Sequence, residues 1–211
     1  MIIMINPNST QSMTDEMLET AQKARPKTKI FGWTSHEAPL AIQGPQDGEA
    51  AVPPLMKLIK KANRLGASVI IIGCADDTGL IKARDLSNCP VIGIGQAAYH
   101  LASMASGRFS VVTTLDVSVP ILSANIKSYG LGSNLVRVRA SGVPVLSLET
   151  DRERATKQVM AEIDKARRED MVGCVVLGCA GMAHINAEYG STYPIRLLDG
   201  VRSAIQIATA F

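Results

Sequence analysis

Two of the four cysteines stand in matching surroundings, and their residue type is suited to acid–base or nucleophilic chemistry. Cys74 and Cys179 each follow an apolar run and a glycine, and each is followed by an alanine. Both are predicted to lie at the carboxyl end of a buried strand, where open α/β sheets bind their ligands. A helix that begins there would point backbone N–H groups at the thiol and lower its pKa.

Two thiols on opposite faces of a small substrate could invert a carbon centre. One thiolate removes the proton of an acidic C–H, and the other thiol delivers a proton from the far side. The remaining cysteines, Cys89 and Cys174, are interpreted as small buried hydrophobic residues.

The spacing of the cysteines and histidines argues against a disulfide scaffold and against structural zinc. Cys174 and Cys179 are separated by four residues, whereas zinc ribbons use paired C-x-x-C units. The three histidines form no H-E-x-x-H pattern. The prediction is reduced thiols and no metal.

The chain alternates strand-like and helix-like segments, which is typical of βαβ units and a mainly parallel sheet. Residues 70–75 and 175–180 repeat one pattern, and Cys74 and Cys179 stand half a chain apart. Asn6 and Thr113 end earlier strands at nearly the same offset. We therefore predict two similar, pseudo-symmetric α/β lobes with the active site in the cleft between them.

The lobes are predicted as residues 1–95 and 96–211, with the final helix free to pack back on the first lobe. Residues 149–168 are predicted as one long polar helix, and residues 201–211 as the closing helix.

Small polar side chains follow the first strand of each lobe. Asn8 and Ser9 could cap a helix and also bind carbonyl or carboxylate oxygens of a ligand. Thr113 and Thr114 occupy the equivalent position, as ligand donors or as ordinary strand-end residues. Asp76 could orient the groups near the Cys74 thiol or cap a helix, and capping is the favoured role.

Residues 93–98 match the dinucleotide fingerprint G-x-G-x-x-A. The match follows the fourth strand, not the first, and lacks an acidic ribose partner about 20 residues later. We interpret it as a tight strand-to-helix turn.

Composition excludes several classes of protein. The net charge is +3 and 46% of the residues are hydrophobic, which indicates neither a nucleic-acid-binding surface nor disorder. No apolar run approaches the roughly 20 residues that span a bilayer. We expect a cytoplasmic protein that binds a small molecule, with no nucleic-acid or membrane partner.

Four motifs together resemble the hydantoin and allantoin racemases of the Asp/Glu racemase superfamily. They are I-N-P-N-S-T at 5–10, G-C-A-D-D-T-G-L at 73–80, R-F-S-V-V-T-T at 108–114 and L-G-C-A-G-M at 177–182. The resemblance spans essentially the whole chain. It implies catalytic cysteines at Cys74 and Cys179, no cofactor and a homo-oligomer.

The resemblance also implies a substrate whose ring carbon lies between a carbonyl and a nitrogen, as in 5-substituted hydantoins or allantoin. Amino-acid racemases of the superfamily commonly follow their cysteines with Asn-Thr and Thr-His. Here Ala75-Asp76 and Ala180-Gly181 occupy these substrate-contacting positions, which disfavours aspartate or glutamate. Many hydantoin racemases carry an aromatic residue at the position of Ala75, so the pocket is expected to differ in shape.

Alternative functions remain open from the sequence. An amino-acid racemase, a maleate-type isomerase or a malonate-type decarboxylase would share the fold. A ligand-binding module without turnover would leave the two matched cysteines without a purpose.

Overall fold

The computed structural model describes all 211 residues. Two four-stranded parallel sheets have the same strand order, β2-β1-β3-β4 and β6-β5-β7-β8. The first sheet contains β1 (Ile2–Asn6), β2 (Ile30–Thr34), β3 (Val69–Ile72) and β4 (Val91–Gly93). The second contains β5 (Phe109–Thr113), β6 (Leu135–Ala140), β7 (Cys174–Leu177) and β8 (Arg196–Asp199). The predicted fold class, two similar α/β lobes, is confirmed.

Nine α-helices flank the sheets. They are α1 (Gln11–Ala24), α2 (Pro45–Arg64), α3 (Leu80–Leu86), α4 (Ile94–Ser106), α5 (Val119–Ser128), α6 (Ser147–Thr150), α7 (Arg152–Lys165), α8 (Ala183–Tyr189) and α9 (Gly200–Ala208). Short 3-10 turns cover Asp116–Ser118 and Ala180–Met182, and a π-helical turn covers Ala166–Asp170.

The central strands are buried on both faces because helices cover each side of the sheet. All residues of β1, β3, β5 and β7 are buried, which explains their continuous apolar runs. Ile3 and Ile5 face the helices α2 and α3, whereas Ile2 and Met4 face α1 and α9.

Helices α4 and α9 cross between the two sheets. Ala98 and Tyr99 of α4 pack against β5 and β7 in the second lobe, although α4 directly follows the last strand of the first sheet. Ala204 and Ile205 of α9 pack in turn against β1 and β3. This reciprocal exchange joins the lobes through shared apolar cores.

Two parts of the second lobe differ from the sequence prediction. The expected single helix over 149–168 is divided at Asp151, whose backbone (φ −141°, ψ 55°) is not helical, into α6 and α7. Helix α8 and strand β8 were not predicted, because both are short and the segment between Cys179 and Asp199 shows neither a helical nor an alternating apolar period.

Candidate active site

The two cysteines follow equivalent strands at equivalent positions. Gly73 N–H donates to the Ile5 carbonyl at 2.8 Å, and Gly178 N–H donates to the Val112 carbonyl at 2.8 Å. Each bond extends the parallel pairing by one residue beyond the strand. The next residue, a cysteine, therefore lies at the carboxyl end of its sheet.

The glycine before each cysteine is required by close packing. A Cβ atom on Gly73 would lie 2.6 Å from Met17 Sδ, and a Cβ on Gly178 would lie 2.9 Å from Val111 Cγ1. Both contacts are inside van der Waals range, although Met17 has a flexible side chain whose end can move, whereas a Cβ on Gly178 would also lie 3.1 Å from Thr113 Cβ and from the Val112 carbonyl oxygen. Tight packing therefore favours glycine before each cysteine, most strongly in the second lobe.

One cavity of about 50 Å³, here called the thiol cavity, brings both cysteines together. It has room for only a few water molecules, and both thiols are partly exposed to it. The predicted residues that line it are Asn8, Cys74, Ala75, Asp76, Thr113, Thr114, Cys179, Ala180 and Gly181.

Ser9 is the one predicted site residue that does not line the thiol cavity. Its backbone N–H donates to the Pro39 carbonyl at 2.9 Å, which ties this position to the loop before α2. Asn8 therefore lines the thiol cavity, whereas Ser9 is held against the neighbouring loop.

Several lining residues were not predicted: Asn6, Met13, Met17, Ile42, Ser118, Leu122 and Val145. Asn6 ends β1 within the motif I-N-P-N-S-T and could have been predicted as a lining residue from that position. Ile42 and Val145 come from loops of opposite lobes, and no local pattern marks them.

The amide of Asn6 organises the loop after β1. Its Nδ2 donates to Asn8 Oδ1 at 2.8 Å and to Thr14 Oγ1 at 3.1 Å. Asn8 Oδ1 also accepts from the backbone N–H of Thr10 at 3.0 Å. The Nδ2 group of Asn8 contacts only Met13 Sδ, a weak acceptor, at 3.3 Å, so it can donate to a ligand.

The two threonines after β5 have different roles. Thr113 Oγ1 donates to the Gly178 carbonyl at 3.1 Å and so holds the strand end that carries Cys179. The Thr114 hydroxyl makes no hydrogen bond within the protein and faces the thiol cavity. Thr114 is therefore the better candidate for a ligand donor.

Side chains from α4 and the α5 region fix the loop that carries Cys74. Tyr99 Oη donates to the Ala75 carbonyl at 3.0 Å, and Asn125 Nδ2 donates to the Asp76 carbonyl at 2.6 Å. Tyr129 Oη donates to Asp77 Oδ2 at 2.8 Å. The loop thus depends on the second lobe for its position.

Asp77 caps the helix that the dinucleotide-like motif begins. Its carboxylate accepts from the backbone N–H groups of Gly95 at 3.0 Å and Gln96 at 2.8 Å. A Cβ atom on Gly93 would lie 2.0 Å from Asp77 Oδ1. The glycines therefore admit a carboxylate of the chain itself, and this helix N-terminus has no room for a phosphate.

The Cys74 thiol has an acceptor beside it. Cys74 Sγ donates to Asp76 Oδ1 at 2.8 Å, and this oxygen also accepts from the Thr78 hydroxyl and, at 3.2 Å, from the Thr78 backbone N–H. Burial, followed by the negative charge of Asp76, raises the pKa of Cys74 well above its ordinary value.

The Cys179 thiol has no carboxylate hydrogen-bonded to it. Cys179 precedes the 3-10 turn, and Gly181, which has no side chain, stands two residues after it, as Asp76 stands after Cys74. Burial nevertheless raises the pKa of Cys179 to about 11, with smaller contributions from Asp76, Glu16 and Glu149. The expectation that helix N-termini lower both thiol pKa values is wrong, because desolvation outweighs the backbone dipoles and no α-helix begins directly after Cys74.

His184 supports the Cys179 turn from outside the thiol cavity. Its Nδ1 lies 2.9 Å from the Gly181 carbonyl oxygen, and its Nε2 lies 2.9 Å from Thr156 Oγ1. With both nitrogens engaged, the ring serves as a brace between α7 and the turn.

No group of three His, Cys, Asp or Glu side chains is arranged to hold a metal ion. None of the helices combines the length and apolar character needed to cross a bilayer.

A family comparison agrees with this architecture. The sequence model of the Asp/Glu/hydantoin racemase family matches residues 2–208. The chain belongs to this family and is an isomerase of the racemase type.

The relatives that this chain resembles include hydantoin and allantoin racemases. The chain is 39% identical to a hydantoin racemase of Rhizobium meliloti, over 99% of this chain and 87% of the relative. It superposes on an allantoin racemase from Klebsiella pneumoniae with a TM-score of 0.96 at 31% identity, over 99% of this chain and 86% of that one. A glutamate racemase from Bacillus anthracis shares the fold, with a TM-score of 0.73 at 15% identity, over 99% of this chain and 80% of that one.

Proposed function

We propose that the protein racemises a hydantoin-type substrate, a 5-substituted hydantoin or allantoin, by proton transfer between two cysteines. The observation that carries this proposal is the position of Cys74 and Cys179. Each follows the equivalent strand of its own sheet, and both line one cavity. Because the two sheets have the same strand order, we infer that the two sulfur atoms face a ligand held there from opposite sides.

The charge of the thiol cavity favours an uncharged substrate. Asp76 is the only charged side chain among the lining residues, and none of them is lysine or arginine. An aspartate, glutamate or malonate substrate brings one or two carboxylates, which would lie near the Asp76 carboxylate with no cationic side chain in the lining to offset the repulsion. A cyclic ureide or hydantoin brings neutral carbonyl and N–H groups, which match the amide and hydroxyl lining.

The reaction requires one thiolate and one thiol. The thiolate forms an S–H bond with the ring proton, and the electron pair of the broken C–H bond moves to the neighbouring carbonyl oxygen as an enolate. The opposite thiol then transfers its proton to the other face of the carbon. The enzyme is left with the two protonation states exchanged.

Donors near the cavity can stabilise the enolate oxygen. Asn8 Nδ2 and the Thr114 hydroxyl are available on one wall. The backbone N–H of Ala75 donates to no backbone carbonyl, and Ala180 opens a 3-10 turn whose first N–H groups have no partner within the turn. Removing a single donor of this kind typically lowers a rate by about 10²–10³-fold.

The proposed mechanism needs no metal or organic cofactor, because the two thiols supply both the base and the acid. The homo-oligomer implied by the family resemblance stays a prediction, and light scattering of the purified protein would measure its mass.

The decisive assay follows the optical rotation of single enantiomers of allantoin, substituted hydantoins, aspartate and glutamate. We expect racemisation of a hydantoin-type compound only, unchanged by exhaustive dialysis against EDTA. Thiol alkylation should abolish racemisation, and bound substrate should protect the two thiols from alkylation. Cys89→Ser is the matched control, since Cys89 lies outside the thiol cavity and its loss should leave the rate unchanged.

The same assay separates the alternatives. A decarboxylase needs one proton donor, and a maleate-type isomerase uses one cysteine as a carbon nucleophile. Racemisation that requires both Cys74 and Cys179 would contradict the decarboxylase and the isomerase alternatives. Activity lost with EDTA and restored by a divalent ion would overturn the cofactor-free mechanism.

A further inference from the structure

The two thiols of the cavity are not equivalent, because the residue two positions after each cysteine differs. Asp76 stands after Cys74 and places a carboxylate oxygen 2.8 Å from its sulfur. Gly181 stands after Cys179 and has no side chain, so no carboxylate lies at the equivalent position beside that sulfur. An anionic acceptor stabilises a thiol relative to its thiolate, so Cys74 is held protonated more firmly than Cys179.

Asp76 also lies between two cavities. It lines the thiol cavity and, with Gly44, Gly79, Asn125 and Tyr129, lines a neighbouring surface cleft of about 450 Å³, here called the outer cleft. No other residue lines both. A proton can therefore pass from water in the outer cleft to the Asp76 carboxylate and on to Cys74 Sγ.

On these contacts, and granting the proposed racemase mechanism, we propose that Asp76 keeps Cys74 protonated in the resting enzyme and returns a proton from water to it after turnover, while the partly exposed Cys179 releases to solvent the proton it took from the substrate. Cys179 is then the base that acts first, and Cys74 is the acid. Asp76 is a positioning residue, since it acts through Cys74 and not on the substrate.

The other charged groups near the thiols do not reverse this order. Glu16 and Glu149 approach Cys179 from α1 and α6, but Arg152 pairs with Glu16 at 2.9 Å. Asp77 points away from Cys74, with its oxygens engaged by the start of α4 and by Tyr129. Only Asp76 makes a direct hydrogen bond to either sulfur through a charged group.

The test is site-resolved alkylation, which needs no substrate. Purified protein is treated with iodoacetamide from pH 6 to 10.5, and labelling of Cys74 and Cys179 is followed by peptide mass spectrometry. We expect Cys179 to react at least about tenfold faster than Cys74 at pH 8, because alkylation reports the thiolate. Equal rates, or faster labelling of Cys74, would overturn the proposal even if the racemase function holds.

Substitution of Asp76 tests the cause of the difference. The variant Asp76→Asn keeps the size of the side chain and removes its charge. Labelling of Cys74 should become at least about tenfold faster at pH 8, and the pH at which labelling begins should fall by about one unit or more. Thr78→Val is the control, because it keeps the carboxylate and removes a hydroxyl that contacts Asp76 and, at 3.7 Å, Cys74 Sγ; it should not accelerate labelling of Cys74. An unchanged Cys74 profile in Asp76→Asn contradicts the proposal, with circular dichroism verifying that the variant is folded.

The reverse substitution tests whether a carboxylate has the same effect on the thiol of the second lobe. Gly181→Asp places a carboxylate at the equivalent position of the second lobe, where the new Cβ meets only the movable end of Leu148 at 3.1 Å. It should slow labelling of Cys179 relative to the size control Gly181→Ala. Equal labelling in these two variants would show that a carboxylate at this position does not set the thiol state.

Turnover supplies an independent readout once the substrate is known. In single-turnover experiments with wild-type protein, the enantiomer whose C–H faces Cys179 should react faster than the other enantiomer. Equal single-turnover rates for the two enantiomers contradict a preferred resting state. Absence of any turnover would instead refute the proposed function and leave the alkylation result standing.

Discussion

The hydroxyl of Tyr129 donates a hydrogen bond of 2.8 Å to Asp77 Oδ2 and so links the end of α5 to the loop that carries Cys74. Asp77 adopts a left-handed backbone conformation (φ 52°) and also caps α4. One buried carboxylate therefore connects the loop that carries Cys74, a helix shared by both cores and the second lobe.

Asp77 should make the stability of the protein depend on pH. Burial raises the pKa of Asp77 to about 7, against about 3.9 in an unfolded chain. Between these values the folded state holds a proton that the unfolded state has released, so its contribution to the free energy of unfolding falls as pH rises from about 4 to 7.

Asp77→Asn should remove this dependence and lower the free energy of unfolding by about 1–3 kcal/mol, because one N–H of the α4 cap loses its acceptor. Urea denaturation at several pH values measures both effects. Tyr129→Phe is the milder control, since it removes one hydrogen bond and keeps the cap. A pH slope identical in Asp77→Asn and wild type would show that another group titrates.

Racemisation should increase with pH. The pKa of Cys179 is raised to about 11 and that of Cys74 lies well above the ordinary thiol value, so the thiolate is scarce at pH 7. The rate should rise about tenfold per pH unit below the apparent pKa values of the pair and fall once both thiols are deprotonated. Initial rates from pH 6 to about 11 measure this profile, and a flat profile would argue against thiol acid–base chemistry.

Each cysteine should serve one enantiomer as base. Cys74→Ser should slow racemisation by about 10²–10⁴-fold, and Cys179→Ser likewise, because serine is a poor acid and base at this position. In D2O, Cys74→Ser should still exchange the ring C–H of the enantiomer that faces Cys179 without inverting it, and Cys179→Ser should exchange the other enantiomer. NMR of the recovered substrate measures exchange, and polarimetry measures inversion. Exchange of both enantiomers by each variant would refute the two-base assignment.

Arg139 should be a large contributor to the stability of the second lobe. It binds the buried Asp170 with two hydrogen bonds, at 2.7 and 2.8 Å, and also pairs with Glu162 and Glu169. Arg139→Met leaves Asp170 without this cationic partner and should cost about 3 kcal/mol of unfolding free energy. Lys157→Ala, which breaks an exposed pair with Glu153, should cause no measurable change in the same urea titration.

The sequence by itself determined the fold class and the two candidate catalytic residues. Strands β1, β3, β5 and β7 were readable because parallel strands buried on both faces appear as continuous apolar runs. The repeated Gly-Cys-Ala pattern marked Cys74 and Cys179, because tight packing favours glycine at both strand ends. Such signals are local and survive without tertiary information.

Only the tertiary structure decided the surroundings of the thiols. Ile42 and Val145 reach the cavity from distant loops, and Ser9 is held away from it by a bond to Pro39. The sequence favoured a tight turn over phosphate binding at residues 93–98, but only the structure shows that Asp77, 18 residues before Gly95, occupies this helix N-terminus. The thiol pKa values are set by burial and by Asp76, and desolvation depends on everything that surrounds a group, which no stretch of sequence contains.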